Sequence, residues 1–439
     1  MTYHSTTFKQ RSRKILGIAL PAGLNSLLDI SNIVIGIFLV SKLSSYHIIA
    51  LGLGLNFFML LYALTNIFYV GTNAQISRLY GKRDFEGIKR VLSSMFFGAF
   101  ILSFPIYFIA DGLYSTYFSW IGVDETSQAL GEIFVNIILF TIPALFTKII
   151  IISSLSALGN TKTPFFIKLI ITILNLALNY IFIFVFTLDI VGIALSNIIV
   201  SYLELIILLA YLLKKNIKLK MIYSFSLKIF KNGVRIGFPV GLERSFTIIS
   251  LILISKFVAS YGSDYLAGFQ IGARIEAFAF MPSFGFMVAS MALTGQYLGA
   301  NKKILLKQYI YTTIILASIF MGLMGFIMAV FGENLSSIFD KNSDIIYSSA
   351  NYLLCVGLSQ IPLVFIFVLD GAYRGAGATK ISLYVNTISI WTLRILPMYL
   401  CVLYKIPLLA IYMIILIETF IRGLAFLYIF RKYFEKIFV

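Results

Sequence analysis

Residues 15–40 read ILGIALPAGLNSLLDISNIVIGIFLV. The run is longer than the about 20 residues that carry a helix across a bilayer. Near its middle stands a carboxylate, Asp29, with Asn25 and Asn32 close by. A charge at that depth costs roughly 2.5–3.5 kcal/mol on insertion scales. Positions 25, 29, 32 and 36 step by four, three and four, so Asn25, Asp29, Asn32 and Gly36 share one helix face. Such a stripe is expensive against lipid, so it faces the protein interior or a water-filled cavity.

The same pattern of long apolar runs fills the chain. Of its 439 residues, 60% are hydrophobic and 12% charged, and the mean hydropathy is +0.95. This describes an all-α polytopic membrane protein. The net charge of +17 is read as basic cytoplasmic loops beside anionic lipid, and no nucleic-acid partner is expected. Cys355 and Cys401 lie in apolar runs, as small core residues do. His4 and His47 have no metal-ligand spacing around them. There is no nucleotide-binding loop and no nucleophile–base constellation, so neither an enzyme nor an ATP-driven pump is expected, and no cofactor.

Apolar spans are expected near 13–40, 47–72, 90–112, 133–158, 164–187 and 190–213, then 231–258, 265–298, 306–331, 344–375, 381–404 and 406–430. One set of loops carries Lys82, Arg83, Lys162, Lys214, Lys302 and Lys380. The opposite set carries Asp124, Glu125, Asp189, Asp264, Glu333 and Asp340. The positive-inside rule then places both termini in the cytoplasm. Three anchors repeat at a constant offset of 218: Pro21 and Pro239, Gly81 and Gly299, Gly159 and Gly377. Twelve transmembrane helices therefore form two six-helix lobes related by a parallel repeat, expected around a central cavity. The domains are an N-lobe at 1–213, a cytoplasmic linker at 214–230 and a C-lobe at 231–439. The linker mixes Lys with Ile, Leu, Met and Phe, as an interfacial amphipathic segment or a plain connection would.

The repeat segments also carry a resemblance. GFPVGLERSF (237–246), LAGFQIGARIEAFAFMPSFGFMVASMALTGQYLGANKK (266–303) and LDGAYRGAGATKISLYVNTISIWTLR (369–394) resemble the second half of multidrug and toxic compound extrusion (MATE) transporters, nearest the DinF-like prokaryotic branch. GTNAQISRLYGKRD (71–84) and SALGNTKTPFFIKLIITILNLALNYIFIF (156–184) resemble the matching first-half elements. The resemblance implies twelve helices in two lobes and export of organic compounds driven by inward flow of H+ or Na+. It also implies an N-lobe ion site with an acid fifteen residues after the first proline, and Asn followed by Asp or Asn in the fifth helix. Those positions are Gly36, Asn175 and Asn179 here, all neutral.

Asp29 is the candidate substitute. It lies two turns, about 10 Å, closer to the cytoplasm on the same face as Gly36. A carboxylate among apolar helices can take up and release a proton. Asn25, Asn32, Asn175 and Asn179 are the assisting amides, and Na+ near Asp29, Asn175 and Asn179 is the alternative to H+; no other metal is expected. Lys148 lies roughly 15 Å deep in the fourth span and is a candidate partner for Asp29. In the C-lobe, Glu243, Thr247 and Ser250 are the repeat mates of Asn25, Asp29 and Asn32. Glu243 is expected to face the cavity, and Glu276, Arg244 and Arg274 are intramembrane, with a Glu243–Arg274 pair expected. Asp370 and Arg374 are four apart and expected to pair. Arg394, Glu418 and Arg422 form another polar group, and Glu204 has no evident partner.

The leading reading is a secondary active antiporter. It exports organic, amphiphilic and on its count of intramembrane acids cationic compounds by alternating access of two lobes. Its partners are a small organic substrate and the lipid bilayer, and it is expected to act as a monomer in a bacterial cytoplasmic (inner) membrane. The alternative is a flippase for lipid-linked oligosaccharide or cell-wall precursors. That cargo carries pyrophosphate and calls for a cavity lined by Arg and Lys, whereas acids are about as common as bases here.

Overall fold

The computed structural model describes residues 6–215 and 224–438. Helices account for nearly all of them, and no strand occurs among the described residues. In chain order we number α1 Phe8–Val40, α2 Ser45–Lys82 and α3 Phe85–Ile121. Next come α4 Glu125–Ala157, α5 Lys162–Val185 and α6 Asp189–Lys215. The second half has α7 Leu227–Ala259, α8 Ser263–Gly299 and α9 Lys303–Val330. It ends with the bent pair α10, Ser343–Leu358 and Gln360–Ala376, then α11 Thr379–Leu403 and α12 Leu408–Ile437. Among the described residues eleven helices are long and apolar enough to cross a membrane, and twelve if the pair in α10, bent by 55°, counts as one span. Of the expected linker 214–230, residues 216–223 lie outside the described residues, and α7 already begins at Leu227.

Polar residues set the ends of these apolar elements. Asp84 accepts from Gly87 N at 2.8 Å and starts α3, so α3 begins five residues before the apolar run expected at 90. Asp124, in the loop before α4, accepts from Ser127 N at 2.9 Å. The backbone and side-chain donors of Ser127 hold the Asp124 carboxyl below its ordinary range. Prolines account for the breaks. A 3-10 turn at Leu139–Thr141 precedes Pro143 in α4, and the bend at Ser359 precedes Pro362 in α10. A ring without an N–H leaves the preceding turn one hydrogen bond short.

The repeat is written in the backbone as well as in the side chains. Three turns are repeated at the same offset of 218. Arg83 (φ 62°) matches Asn301 (φ 56°), Gly159 (φ 83°) matches Gly377 (φ 77°), and Thr187 (φ 52°) matches Lys405 (φ 54°). All are left-handed. Their closing bonds correspond too: Asn160 N to Leu155 O at 2.9 Å, and Ala378 N to Tyr373 O at 2.8 Å. Glycine meets the left-handed requirement at 159 and 377 without a Cβ penalty.

By packing, the chain divides into two compact units, Asn25–Gly241 and Met1–Leu24 with Leu242–Val439. The divisions fall inside α1 and α7, a few residues after Pro21 and Pro239, whereas the repeat divides the sequence at 213 and 231. In the first unit Phe118, Phe134, Phe146 and Ile150 are fully buried. Phe230, early in α7, stacks on Phe68 of α2 at 6.2 Å, and a Cβ at Gly237 would run into the Ile67 backbone. In the second unit Ile15, Ile18 and Ala19 join a core with Phe286, Ala289 and Leu369. Arg11 Nε donates to Thr312 at 3.0 Å, and Lys14 Nζ sits 4.9 Å from the Tyr297 ring centre. Gly371 and Gly375 of α10 lie against the carbonyls of Met287 and Met291 of α8. That is the close approach which small residues four apart permit.

Candidate functional site

The first unit brings two polar stripes together. On α5, Lys168, Thr172, Asn175 and Asn179 step by four, three and four, the same spacing as Asn25, Asp29, Asn32 and Gly36 on α1. Lys168 Nζ lies 2.7 Å from Asp29 Oδ1. One turn further along both helices, Asn32 Nδ2 donates to Thr172 Oγ1 at 3.2 Å. Residue numbers rise together across these two contacts, so the helices run in the same direction here.

The expected partnership of Asp29 with Lys148 is therefore corrected. Lys148, on α4, bonds Glu204 of α6 at 2.6 Å, and this second pair is buried. Glu204 thus has a partner. The depth of Lys148 was legible, but the face it shows to α6 was not. Lys168 escaped the sequence reading because it stands six residues from the start of α5, where a lysine can snorkel to the surface. The signal that finds it is its register with Asn175 and Asn179. The two pairs are neighbours in charge: Lys168 interacts electrostatically with both Asp29 and Glu204, and Tyr62 of α2 with Asp29, Lys168 and Glu204.

Exposure separates the two pairs. The Asp29 side chain is 40% exposed and that of Lys168 16%, against 11% and 4% for Lys148 and Glu204. Asp29 is the open end of the network. The Asn25 and Asn175 amide oxygens are buried without a partner, and Asn179 Oδ1 accepts from Ser196 of α6. Gly36 is buried, yet a Cβ added there would meet nothing within 4 Å. Of the oxygens in the expected sodium site, Asp29 Oδ1 holds the Lys168 ammonium and Asn179 Oδ1 holds the Ser196 hydroxyl, while Asn175 Oδ1 has no partner. Among the described residues no group of three or more His, Cys, Asp or Glu could hold a metal ion.

The second unit pairs its acids more tightly. Arg374 Nη2 reaches both oxygens of Glu243, at 3.0 and 3.2 Å, and Asp370 at 2.6 Å. Asn386 Nδ2 donates to Glu243 at 2.8 Å. The expected Glu243–Arg274 pair is thus replaced by Glu243–Arg374. Arg374 lies on α10, and Arg274 is exposed with no hydrogen bond or ion pair among the described residues. Glu276 instead accepts from Tyr352 at 2.5 Å. The hydroxyl of Thr247, the repeat mate of Asp29, donates to the Glu243 carbonyl at 2.8 Å. Glu418 accepts from Ser389 at 2.7 Å, pairs with Arg422 at 3.1 Å and accepts from Arg394. Glu243, Asp370 and Glu418 are thus each paired with an arginine, while Glu276 has a tyrosine, and Asp370 Oδ1, Arg374 Nε and Arg422 Nε are buried without a hydrogen-bond partner.

Comparison with known proteins adds lineage to this geometry. A probable multidrug resistance protein NorM of Thermotoga maritima is 28% identical over 278 residues, covering 60% of this chain and 57% of that protein. Another, from Mannheimia succiniciproducens, is 24% identical over 408 residues, covering 89% and 86%. The multidrug export protein MepA of Staphylococcus saprophyticus is 23% identical over 388 residues, covering 86% and 85%. Among solved structures, a MOP superfamily transporter from Pyrococcus furiosus superposes with a TM-score of 0.91 at 19% identity, covering 97% and 96%. A Vibrio cholerae MATE transporter superposes at 0.92 and 19% identity, covering 98% and 99%. These likenesses show the two-lobe fold. The MatE family model matches residues 21–181 and 239–400, two stretches that begin at the repeated prolines. The chain therefore belongs to the MatE family of membrane transporters.

Proposed function

We propose that this transporter exports amphiphilic organic compounds across a bacterial cytoplasmic membrane in exchange for an inward-moving cation, with both termini in the cytoplasm. The relatives named for multidrug resistance and export support the cargo class. The observation that carries the coupling is the Asp29–Lys168 pair: a half-open carboxylate, held by the Lys168 ammonium, on facing stripes of α1 and α5. The family's acid position is Gly36 here, and Asp29 stands on the same face. Alternating access then follows if cation binding at Asp29 changes the α1–α5 contact and with it the packing of the first unit.

The count of intramembrane acids no longer supports a preference for positive cargo. Asp29, Glu204, Glu243, Asp370 and Glu418 each have a basic partner, and Glu276 has Tyr352. Aromatic surface is the better guide: Phe280 stacks on Phe367 at 6.2 Å and Phe246 meets Trp391 edge-on at 6.2 Å. Such rings suit flat amphiphiles. None of the relatives described is named for moving lipid-linked precursors, and that alternative is not proposed.

The test is efflux of ethidium, a flat aromatic probe, from cells lacking their own exporters. Cells making the wild-type chain should lose dye faster than cells with the empty vector. Cells making Asp29→Asn at equal protein level should match the vector. Equal efflux by wild type and variant would remove Asp29 from the mechanism.

A further inference from the structure

We infer that the second unit recognises its cargo by a negative group, that Arg244 of α7 seats this group, and that aromatic carboxylates and sulfonates are the cargo class. This deepens the export reading above and rests on it. Away from their ends, the spans of this unit carry arginines at 244, 274, 374, 394 and 422 and acids at 243, 276, 370 and 418. Arg374 holds Glu243 and Asp370, Arg394 and Arg422 hold Glu418, and Tyr352 donates to Glu276. Every one of these acids is engaged. Arg244 and Arg274 are exposed, with no hydrogen bond or ion pair among the described residues. Arg244 stands about 22 Å before the end of α7, and Arg274 about 16 Å after the start of α8. Both lie deeper than an arginine side chain reaches by snorkelling. A bare charge at that depth is too costly against lipid, so both guanidiniums face water-filled space.

Two contacts align α7 with α11 on either side of Arg244. Asn386 Nδ2 donates to Glu243 at 2.8 Å, and Phe246 meets Trp391 edge-on at 6.2 Å. Residue numbers rise together across them, so Arg244 lies level with the stretch of α11 from Asn386 to Trp391. That stretch holds two idle donors four residues apart on one face. Thr387 Oγ1 and Trp391 Nε1 are both buried without a hydrogen-bond partner. Around Trp391 the helix widens into a π-helical stretch, Ser389–Ile395, a distortion frequent at functional sites. An idle buried donor is costly, and an oxyanion relieves that cost. The guanidinium offers a planar fork to a carboxylate or sulfonate, the indole N–H only donates, and the hydroxyl is free to donate. The exposed Phe246 ring offers a face to the aromatic part of the cargo. On α8, Arg274 and the half-exposed Phe278 stand four residues apart and repeat this combination of charge and ring. A cargo with an ammonium head is repelled by both guanidiniums, and the acids that could hold it are already engaged.

Two probes built on one ring system test this on the purified full chain: dansyl sulfonate, and a dansyl sulfonamide carrying a quaternary ammonium. The chain has two tryptophans. Trp120→Phe removes the exposed one on α3, in the first unit, and leaves Trp391 to report binding by energy transfer to the dansyl ring. The sulfonate should bind this chain about tenfold or more tightly than the ammonium probe. Arg244→Gln should weaken the sulfonate about tenfold, the scale of a lost charged hydrogen bond, without weakening the ammonium probe. Arg244→Lys keeps the charge and loses the fork, so it should fall between. Arg274→Gln should narrow the preference by a smaller factor. Should Arg244→Gln fail to fold, Arg244→Lys and the comparison of the two probes on the unchanged arginines still decide. An ammonium probe bound as tightly as the sulfonate would overturn the inference. So would sulfonate binding that the Arg244 variants do not weaken. A chain that exports ethidium yet prefers the ammonium probe would sink this inference and leave the export reading standing. A chain that binds the sulfonate as described but moves neither dansyl probe nor ethidium would do the reverse.

Discussion

A carboxylate in an apolar helix needs partners, and Asp29 has engaged only one oxygen, with 40% of its side chain still open. Breaking a buried ion pair by removing one partner costs about 3–5 kcal/mol. Asp29 is too exposed for that full penalty, so Asp29→Asn should lower stability by about 1–2 kcal/mol. Thermal unfolding in detergent measures this, and adding Lys168→Met should restore most of the loss without restoring transport. Lys148→Met behaves differently. It leaves Glu204 buried and unpaired, so a loss of about 3–5 kcal/mol is expected, largely recovered when Glu204→Leu is added. A small cost for Lys148→Met would mean that Glu204 finds another cation, for which Lys168 is the candidate. At Gly36 a methyl group meets open space, so Gly36→Ala should stabilise α1 by about 0.5–1 kcal/mol. A destabilised Gly36→Ala would show that the space beside it closes in solution.

At the scale of elements, close approach between backbones decides which substitutions are tolerated. Gly371→Ala drives a methyl into the Met287 carbonyl, and a cost of about 1–3 kcal/mol is expected from overpacking. The same unfolding measurement checks it. How much was legible follows the same physics. Apolar length and loop charge gave the helices and their order, and the recurring Pro, Gly and Gly anchors gave the repeat that the left-handed turns at 159 and 377 repeat in three dimensions. The i, i+4 pairs Asp370–Arg374 and Glu418–Arg422 were legible because helix geometry fixes them. Pairs between helices were not. Lys148 has α6 before it rather than α1, and Glu243 has Arg374 rather than Arg274, because rotation of one helix against another leaves no mark on spacing. The divisions inside α1 and α7 were also hidden. The prolines were visible, but which neighbours each half-helix packs against was not.

At the scale of the whole molecule, an even number of spans per repeat puts both repeats in the membrane with one orientation. Cysteines placed by Asp124→Cys and Lys303→Cys should therefore be labelled from opposite sides, with little background from the buried Cys355 and Cys401. Labelling of both from one side would contradict the topology. Spectroscopic labels on loops 42–46 and 260–264 should change separation when pH or cargo changes, as alternating access requires; a fixed separation would mean a static protein. The central claim is that cation entry at Asp29 drives export, and it is met most directly in liposomes holding the purified chain. Ethidium movement is followed while a pH or sodium gradient is imposed. The wild type should move dye only while the gradient lasts, and Asp29→Asn should fall to the rate of protein-free liposomes while still binding dye. Gradient-driven movement by Asp29→Asn at the wild-type rate would contradict the account.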